Sequence, residues 1–102
     1  MFLYIGGEGE LSPWELHSGH MAELSKKFHA LMFALEHRFY GASHPTPTLE
    51  GQYMKYLNSN QALADIADFR YLVVSIAVRS GELGGRPRFR RFVVSSLRLL
   101  FL

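Results

Sequence analysis

Two short apolar runs, separated by a segment with helical spacing, constrain the fold of this chain most strongly. The first run, FLYI (Phe2–Ile5), is rich in strand-forming residues and ends at a glycine-rich turn. The second run, ALMFAL (residues 30–35), shows no alternation of polar and apolar residues. Such a run is typical of a strand that is covered on both faces, as in a parallel sheet.

The segment between these runs carries the signals of a helix. Ser12, Pro13 and Glu15 have the form of a capping box, while Gly19 weakens the helix and Ser18 offers a second start. Apolar residues then recur at helical spacing. The buried face of this helix is expected to hold Met21, Leu24 and Phe28.

A loop over residues 37–56 precedes a second helix. Asn58 is expected to cap this helix, with Gln61 three residues further on. Its apolar stripe is expected to hold Leu63, Ile66, Ala67 and Val73. The order strand, helix, strand, loop, helix predicts the α/β class, with a βαβα unit, a parallel sheet and right-handed crossovers. Two strands make an incomplete sheet, because stable sheets usually contain more.

Composition divides the chain into two unlike parts. The 102 residues suit one small domain, without cysteine and without the roughly 18 consecutive apolar residues of a membrane span. Residues 1–78 hold five Lys or Arg and eight Asp or Glu, whereas residues 79–102 hold six Arg and one Glu. This shift in charge indicates that the two parts have different origins or roles.

Five pieces of sequence carry a resemblance to a known family over residues 2–69. They are LYIGGEGE (3–10), SGH (18–20), LEHRFYGASHP (35–45), the YL of MKYLNSNQALADIADF (54–69) and QALAD (61–65). Together they resemble the serine exopeptidases that include lysosomal Pro-Xaa carboxypeptidase, dipeptidyl peptidase II and thymus-specific serine protease. The resemblance implies an α/β-hydrolase fold with a Ser-Asp-His triad, no cofactor, and cleavage of peptide substrates next to proline near a chain terminus. It also implies a lysosomal or secreted location, although no signal peptide is visible.

The resemblance ends at about residues 70–71, before any Gly-x-Ser-x-Gly nucleophile elbow. We therefore expect a partial peptidase domain over residues 1–70 and a divergent tail over residues 71–102. We assign no catalytic residue, and we expect the chain to be inactive alone. The alternative is a non-catalytic product that binds through its unsatisfied strand edges, for instance to a full-length relative.

The glycine-rich loop after the first strand is the first candidate site. By resemblance, Gly6, Gly7, Glu8 and Gly9 border the active site, where a backbone N–H of this loop contributes to the oxyanion hole. The alternative is a tight turn in which the glycines serve packing alone.

A charged cluster follows the second strand. Glu36, His37, Arg38 and Tyr40 are expected either to position substrate or to form a structural network, with Arg38 paired to Glu36 or to Asp65. The structural network is the preferred interpretation, because buried charges need partners. The aromatic residues nearby can line a pocket for proline or anchor the loop on the core. These residues are Phe39, Tyr40 and Pro45.

Two further features receive a non-catalytic interpretation. His17, His20 and Glu23 have a spacing that can hold a metal, but no metal is expected, since such clusters are usually solvated surface. The tail RPRFRRFVVSSLRLLFL (86–102) can bind an anionic membrane or nucleic acid. A changed reading frame or a mispredicted exon is the preferred explanation, so no nucleic-acid partner is expected.

Overall fold

Three parallel strands form one sheet in the computed structural model, which describes residues 1–79 and 91–94. Strand β1 is Phe2–Ile5, β2 is Met32–Leu35 and β3 is Arg91–Val94, in the order β1-β2-β3. Phe2 pairs in register with Met32, and Met32 with Arg91. The prediction of the α/β class with a parallel sheet is confirmed, and the sheet has one strand more than the sequence indicated.

The first helical segment is split in two. A 3-10 helix spans Pro13–Leu16, and its cap Ser12 accepts a hydrogen bond from the Trp14 amide at 3.2 Å. Helix α1 spans Gly19–Phe28 and begins only after a turn at Ser18. Gly19 has a φ of 77°, which a right-handed helix does not accommodate, and this break explains why the capping signal at Ser12 does not start α1.

Helix α2 spans Ser59–Arg79 and follows a second 3-10 helix over Gly51–Tyr56. The Asn58 side chain accepts a hydrogen bond from the Gln61 amide at 3.0 Å, so the predicted cap is confirmed. No helix in residues 1–79 has both the length and the apolar character that a membrane crossing requires.

The core lies on both faces of β2, all four residues of which are buried. Met32 and Ala34 point to a cluster shared with the 3-10 helix Pro13–Leu16 and α1. Phe33 and Leu35 point to a second cluster with α2. This two-sided burial explains the unbroken apolar run of the strand.

Each helix turns only part of its predicted apolar stripe to the sheet: Met21 on α1 packs on one core cluster as expected, and Ile66 and Val73 on α2 pack on the other. Phe28 is 60% exposed and Leu63 is 62% exposed, so both expectations of burial are wrong, as is that for Ala67. The buried positions are instead Ala22 and Ser25 on α1, with Phe69 joining Ile66 and Val73 on α2. Spacing alone does not decide which of two apolar stripes meets the sheet.

The two helices pack on opposite faces of the sheet while the strand order advances in one direction. The connection from α2 to β3 passes through residues 80–90, outside the described part of the chain, so the right-handed crossovers stay a prediction.

The division of the chain at residues 70–71 stays a prediction. Helix α2 runs through this boundary to Arg79, and β3 belongs to the same sheet. Residues 80–90 and 95–102 lie outside the described part of the chain. The interpretations placed on the arginine-rich tail fall largely there.

Candidate active-site border

The two sequence-predicted loops meet at the carboxyl edge of the sheet. Gly6 follows β1 directly and Glu36 follows β2 directly, and these strands are parallel and in register. The Gly6 amide donates a hydrogen bond to the Leu35 carbonyl at 2.8 Å. Sites of open parallel sheets form beyond this edge, so the loops stand where a site is expected.

The Glu36 carboxylate joins these two loops. It is 2% exposed and accepts a hydrogen bond from the Leu11 amide at 2.9 Å through Oε2. Through Oε1 it accepts from the Ala42 amide at 2.9 Å and from the Ser43 hydroxyl at 2.8 Å. These bonds to an ionised acceptor are the kind that compensates the burial of a charge.

Gly41 makes room for this carboxylate. Its φ is 52°, and a Cβ at this position would overlap the Glu36 side chain. Gly6 is also constrained, since a Cβ there would lie 3.2 Å from the Leu35 carbonyl oxygen. Gly41 is therefore needed for close approach, whereas a Cβ at Gly6 would require only a small shift of its neighbour; the sequence alone did not distinguish close approach from a need for turning.

The loop after β2 is closed by its own backbone. The Phe39 amide donates to the Ser43 carbonyl at 2.8 Å, and the Ser43 amide donates to the Tyr40 carbonyl at 2.9 Å. Phe39 is buried although its φ is 70°, a region that side-chain-bearing residues seldom adopt. It therefore anchors the loop on the core, whereas Pro45 is exposed, so the two do not line a common pocket.

Arg38 joins the end of β2 to α2. Its Nε and Nη2 lie 2.6 Å from the two carboxylate oxygens of Asp65. Its Nη1 donates to the Tyr56 carbonyl and to Gln61 Oε1, both at 3.0 Å. Of the two acidic partners expected for Arg38, Asp65 is the one that the structure shows. Four of the five N–H donors of the guanidinium are engaged in this network, which supports the interpretation of Arg38 as part of a structural network.

His37 and Tyr40 lie beside this network. The His37 Nδ1 is 2.9 Å from the Arg38 carbonyl oxygen, which requires a proton on Nδ1. The rings of His37 and Tyr40 make an edge-to-face contact with centroids 5.4 Å apart. His37 also lines a pocket of about 230 Å³, including its open mouth, together with Ile5 and Ile66. This pocket opens at the same carboxyl edge of the sheet.

The remaining predicted residues fall into two groups. Gly7, Glu8 and Gly9, together with Glu10, form an exposed arch (residues 7–10) between the buried residues Gly6 and Leu11.

The histidines considered as metal ligands are not brought together: His20 lies 4.0 Å from Glu23 on the surface of α1, and His17 ends the preceding 3-10 helix. Within residues 1–79 and 91–94, no group of three His, Asp or Glu residues is suited to a metal.

Sequence reasoning missed the partners of Glu36 and the environment of Tyr4. Leu11 and Ala42 act through their backbone amides, which carry no side-chain signal in the sequence. Burial raises the pKa of Tyr4, and the charge and hydrogen bond of the nearby Glu15 carboxylate raise it further.

Comparisons with known proteins place the chain in a family of serine peptidases. The sequence profile described as serine carboxypeptidase S28 matches residues 1–80, and the chain belongs to this family. This confirms the resemblance inferred from the EHRFYG and QALAD motifs, and it extends about ten residues beyond the predicted boundary.

The relatives are much longer than this chain. It is 49% identical over 70 residues to thymus-specific serine protease of Mus musculus, covering 69% of this chain and 14% of that protein. The Homo sapiens protein of the same name is 46% identical over 70 residues, with the same coverage. Lysosomal Pro-X carboxypeptidase of Mus musculus is 31% identical over 86 residues, covering 80% of this chain and 18% of that protein. No solved structure matches the chain.

Proposed function

We propose that this chain supplies the part of a peptidase domain that carries the oxyanion loop of a serine exopeptidase cleaving next to proline near peptide termini. The domain is of the α/β-hydrolase type, and the exposed arch over residues 7–10 borders the active site. Lysosomal Pro-X carboxypeptidase, which carries proline in its name, and thymus-specific serine protease are the relatives that support this proposal.

One observation carries the proposal: the glycine-rich loop is fastened at the carboxyl edge of a parallel sheet in a member of this family. In α/β-hydrolases a backbone N–H of the corresponding loop stabilises the oxyanion of the tetrahedral intermediate. Such a donor lowers the barrier only if it is held in place before the reaction starts. A loop hydrogen-bonded to the strand end satisfies that requirement.

The nucleophile, the acid and the base come from outside these 102 residues. The sequence contains no Gly-x-Ser-x-Gly, the turn that carries the nucleophile in α/β-hydrolases. The chain alone therefore does not hydrolyse peptides. In a full-length relative, a serine placed above the sheet attacks the peptide carbonyl, and the arch faces the oxygen that becomes negative.

Two proteins test this function. The first is the 102-residue chain, which is expected to show no turnover of a chromogenic dipeptide containing proline. The second is a chimera in which residues 1–70 of this chain replace the matching 70 residues of the mouse thymus-specific serine protease. The chimera is expected to hydrolyse peptides and to lose activity with a serine-directed phosphonate. A folded but inactive chimera contradicts the proposal, as does phosphonate-sensitive turnover by the chain alone.

A second candidate function is binding through the outer edge of β1. This strand stands at the end of the sheet order, and no described residue pairs with its outer side. The amides of Phe2 and Gly6 point to β2, so the alternation of a parallel ladder directs the Leu3 and Ile5 amides outward. An extended segment of a full-length relative can add to this edge.

The edge is tested with a variant that removes one outward donor. Ile5→Pro deletes an amide that β2 does not use, whereas Ile5→Val is the matched control. If the edge binds, the wild-type chain and the valine variant co-purify with a full-length relative and the proline variant does not. Equal recovery of all three contradicts binding through β1.

A further inference from the structure

We propose that Glu36 is a positioning residue, which holds the backbone of the exposed arch (residues 7–10) in a fixed position at the carboxyl end of the sheet. The proposal rests on the function proposed above and adds a residue with a stated role to it. Glu36 does not touch the reacting atoms, and it acts through the backbone that it holds.

The arch is fixed at both of its ends to consecutive residues of the chain that leaves β2. At one end, the Gly6 amide donates to the Leu35 carbonyl at 2.8 Å. At the other end, the Leu11 amide donates to the Glu36 carboxylate at 2.9 Å. Residues 7–10 lie between these two bonds and are exposed. Their path is therefore set by two anchor points at the carboxyl end of one strand.

A carboxylate is the group that this position requires. One oxygen serves Leu11, and the other serves Ala42 and Ser43, so both sides of the group face donors. A glutamine offers only one acceptor oxygen, and its NH₂ group would face an N–H or O–H donor. Arg38, two residues away in sequence, pairs with Asp65, and the charge of Glu36 is compensated by these three hydrogen bonds.

The hydrogen bonds from the loop after β2 hold the Glu36 carboxylate in place. Ala42 and Ser43 belong to a loop that is closed by its own backbone bonds, and Gly41 lets it approach the carboxylate. A carboxylate held on two sides cannot swing away from Leu11 without breaking bonds to the other loop. The arch is thus pre-organised before substrate arrives, which is what an oxyanion donor needs.

Hydrogen exchange on the 102-residue chain tests the anchor without any need for activity. Residue-resolved amide exchange is compared between the wild-type chain, Glu36→Gln and the control Glu23→Gln, which alters an exposed carboxylate of α1. The Leu11 amide is expected to exchange at least tenfold faster in Glu36→Gln, while the amides of α1 keep their rates. An unchanged Leu11 rate overturns the proposal.

Kinetics of the chimera test the consequence for catalysis. Both variants are introduced into the chimera, and kcat is normalised to the folded fraction measured by near-UV circular dichroism. Glu36→Gln is expected to lower kcat about 100-fold with a much smaller change in KM, since the loss of one oxyanion donor has an effect of this size. Glu23→Gln is expected to match the wild-type chimera. A Glu36→Gln chimera with kcat within twofold of wild type overturns the proposal.

The hydrogen-exchange and kinetic measurements together distinguish failure of the proposed function from failure of the positioning role of Glu36. If the unmodified chimera folds and is inactive, the proposed function fails, while the exchange data still decide whether Glu36 anchors the loop. If the chimera is active and Leu11 is released without loss of kcat, the anchor is structural and the positioning role is wrong.

Discussion

The Arg38 guanidinium forms a bidentate ion pair with the Asp65 carboxylate, with both N–O distances at 2.6 Å. The two side chains are 10% and 15% exposed, so water screens the pair only weakly. Because Arg38 follows β2 and Asp65 belongs to α2, the pair fixes the start of the helix to the carboxyl edge of the sheet. The pocket beside His37 depends on the same junction.

Removal of Asp65 is therefore expected to destabilise the chain strongly. Asp65→Asn leaves a largely buried guanidinium without its counter-charge, and the free energy of unfolding is expected to fall by about 3 kcal/mol. Asp68→Asn changes an exposed carboxylate of the same helix and is expected to have little effect. Urea unfolding measures both. The single variant Arg38→Met and the double variant Arg38→Met/Asp65→Asn complete the cycle. If the double variant loses as much free energy of unfolding as the two single variants together, the pair is not coupled and the interpretation is wrong.

Gly41 is expected to be the most sensitive glycine of the site. Gly41→Ala forces a side chain into a positive-φ conformation and displaces the Glu36 carboxylate, which is expected to cost on the order of 2 kcal/mol in stability. Gly51→Ala serves as the control, because a Cβ there has no neighbour within 4 Å. Thermal unfolding compares the two. Equal melting temperatures for these variants would contradict the close contact with Glu36.

The raised pKa of Tyr4 predicts a loss of stability at high pH. Burial and Glu15 favour the neutral phenol in the folded chain, so the folded-state pKa lies above the usual value of 10.0. The stabilisation is fully present below pH 10.0 and is lost as the pH rises through the folded-state pKa. Tyr4→Phe is expected to flatten the decline, and Tyr71→Phe, at a residue that is 79% exposed, is expected to leave it unchanged. Urea unfolding from pH 8 to 11 measures this; a decline that persists in Tyr4→Phe assigns it to another group.

Local signals were sufficient to predict most of the elements. The bounds of β1, the burial of β2 and the cap at Asn58 follow from residue types within a few positions of one another. The start of α1 after Ser18 also agrees with a local signal, since Gly19 was expected to weaken the helix and Ser18 to offer a second start. The third strand depends on packing between distant segments, which a single sequence does not display.

The sequence was sufficient to predict where the site lies but not which residues contact one another within it. The motifs placed the glycine-rich loop and the Glu36 segment at one edge of the sheet, because carboxyl ends of parallel strands lie together. They did not separate Glu36 from Arg38, which point to different partners in the structure. The bond from Leu11 to Glu36 joins residues 25 positions apart through a backbone amide, and no residue type encodes it.

The orientation of α2 gives a last prediction, in which two apolar residues of one helix behave differently. Phe69 is 1% exposed and packs edge-to-face on Phe33 with ring centroids 6.2 Å apart, whereas Leu63 is 62% exposed. Phe69→Ala leaves a cavity under the sheet and is expected to lower the free energy of unfolding by about 3–5 kcal/mol. Leu63→Ala is expected to change it by about 0.5 kcal/mol or less. Urea unfolding of the two variants measures the difference. Comparable losses would mean that Leu63 is as well buried as Phe69, and that the packing of Phe69 described above is wrong.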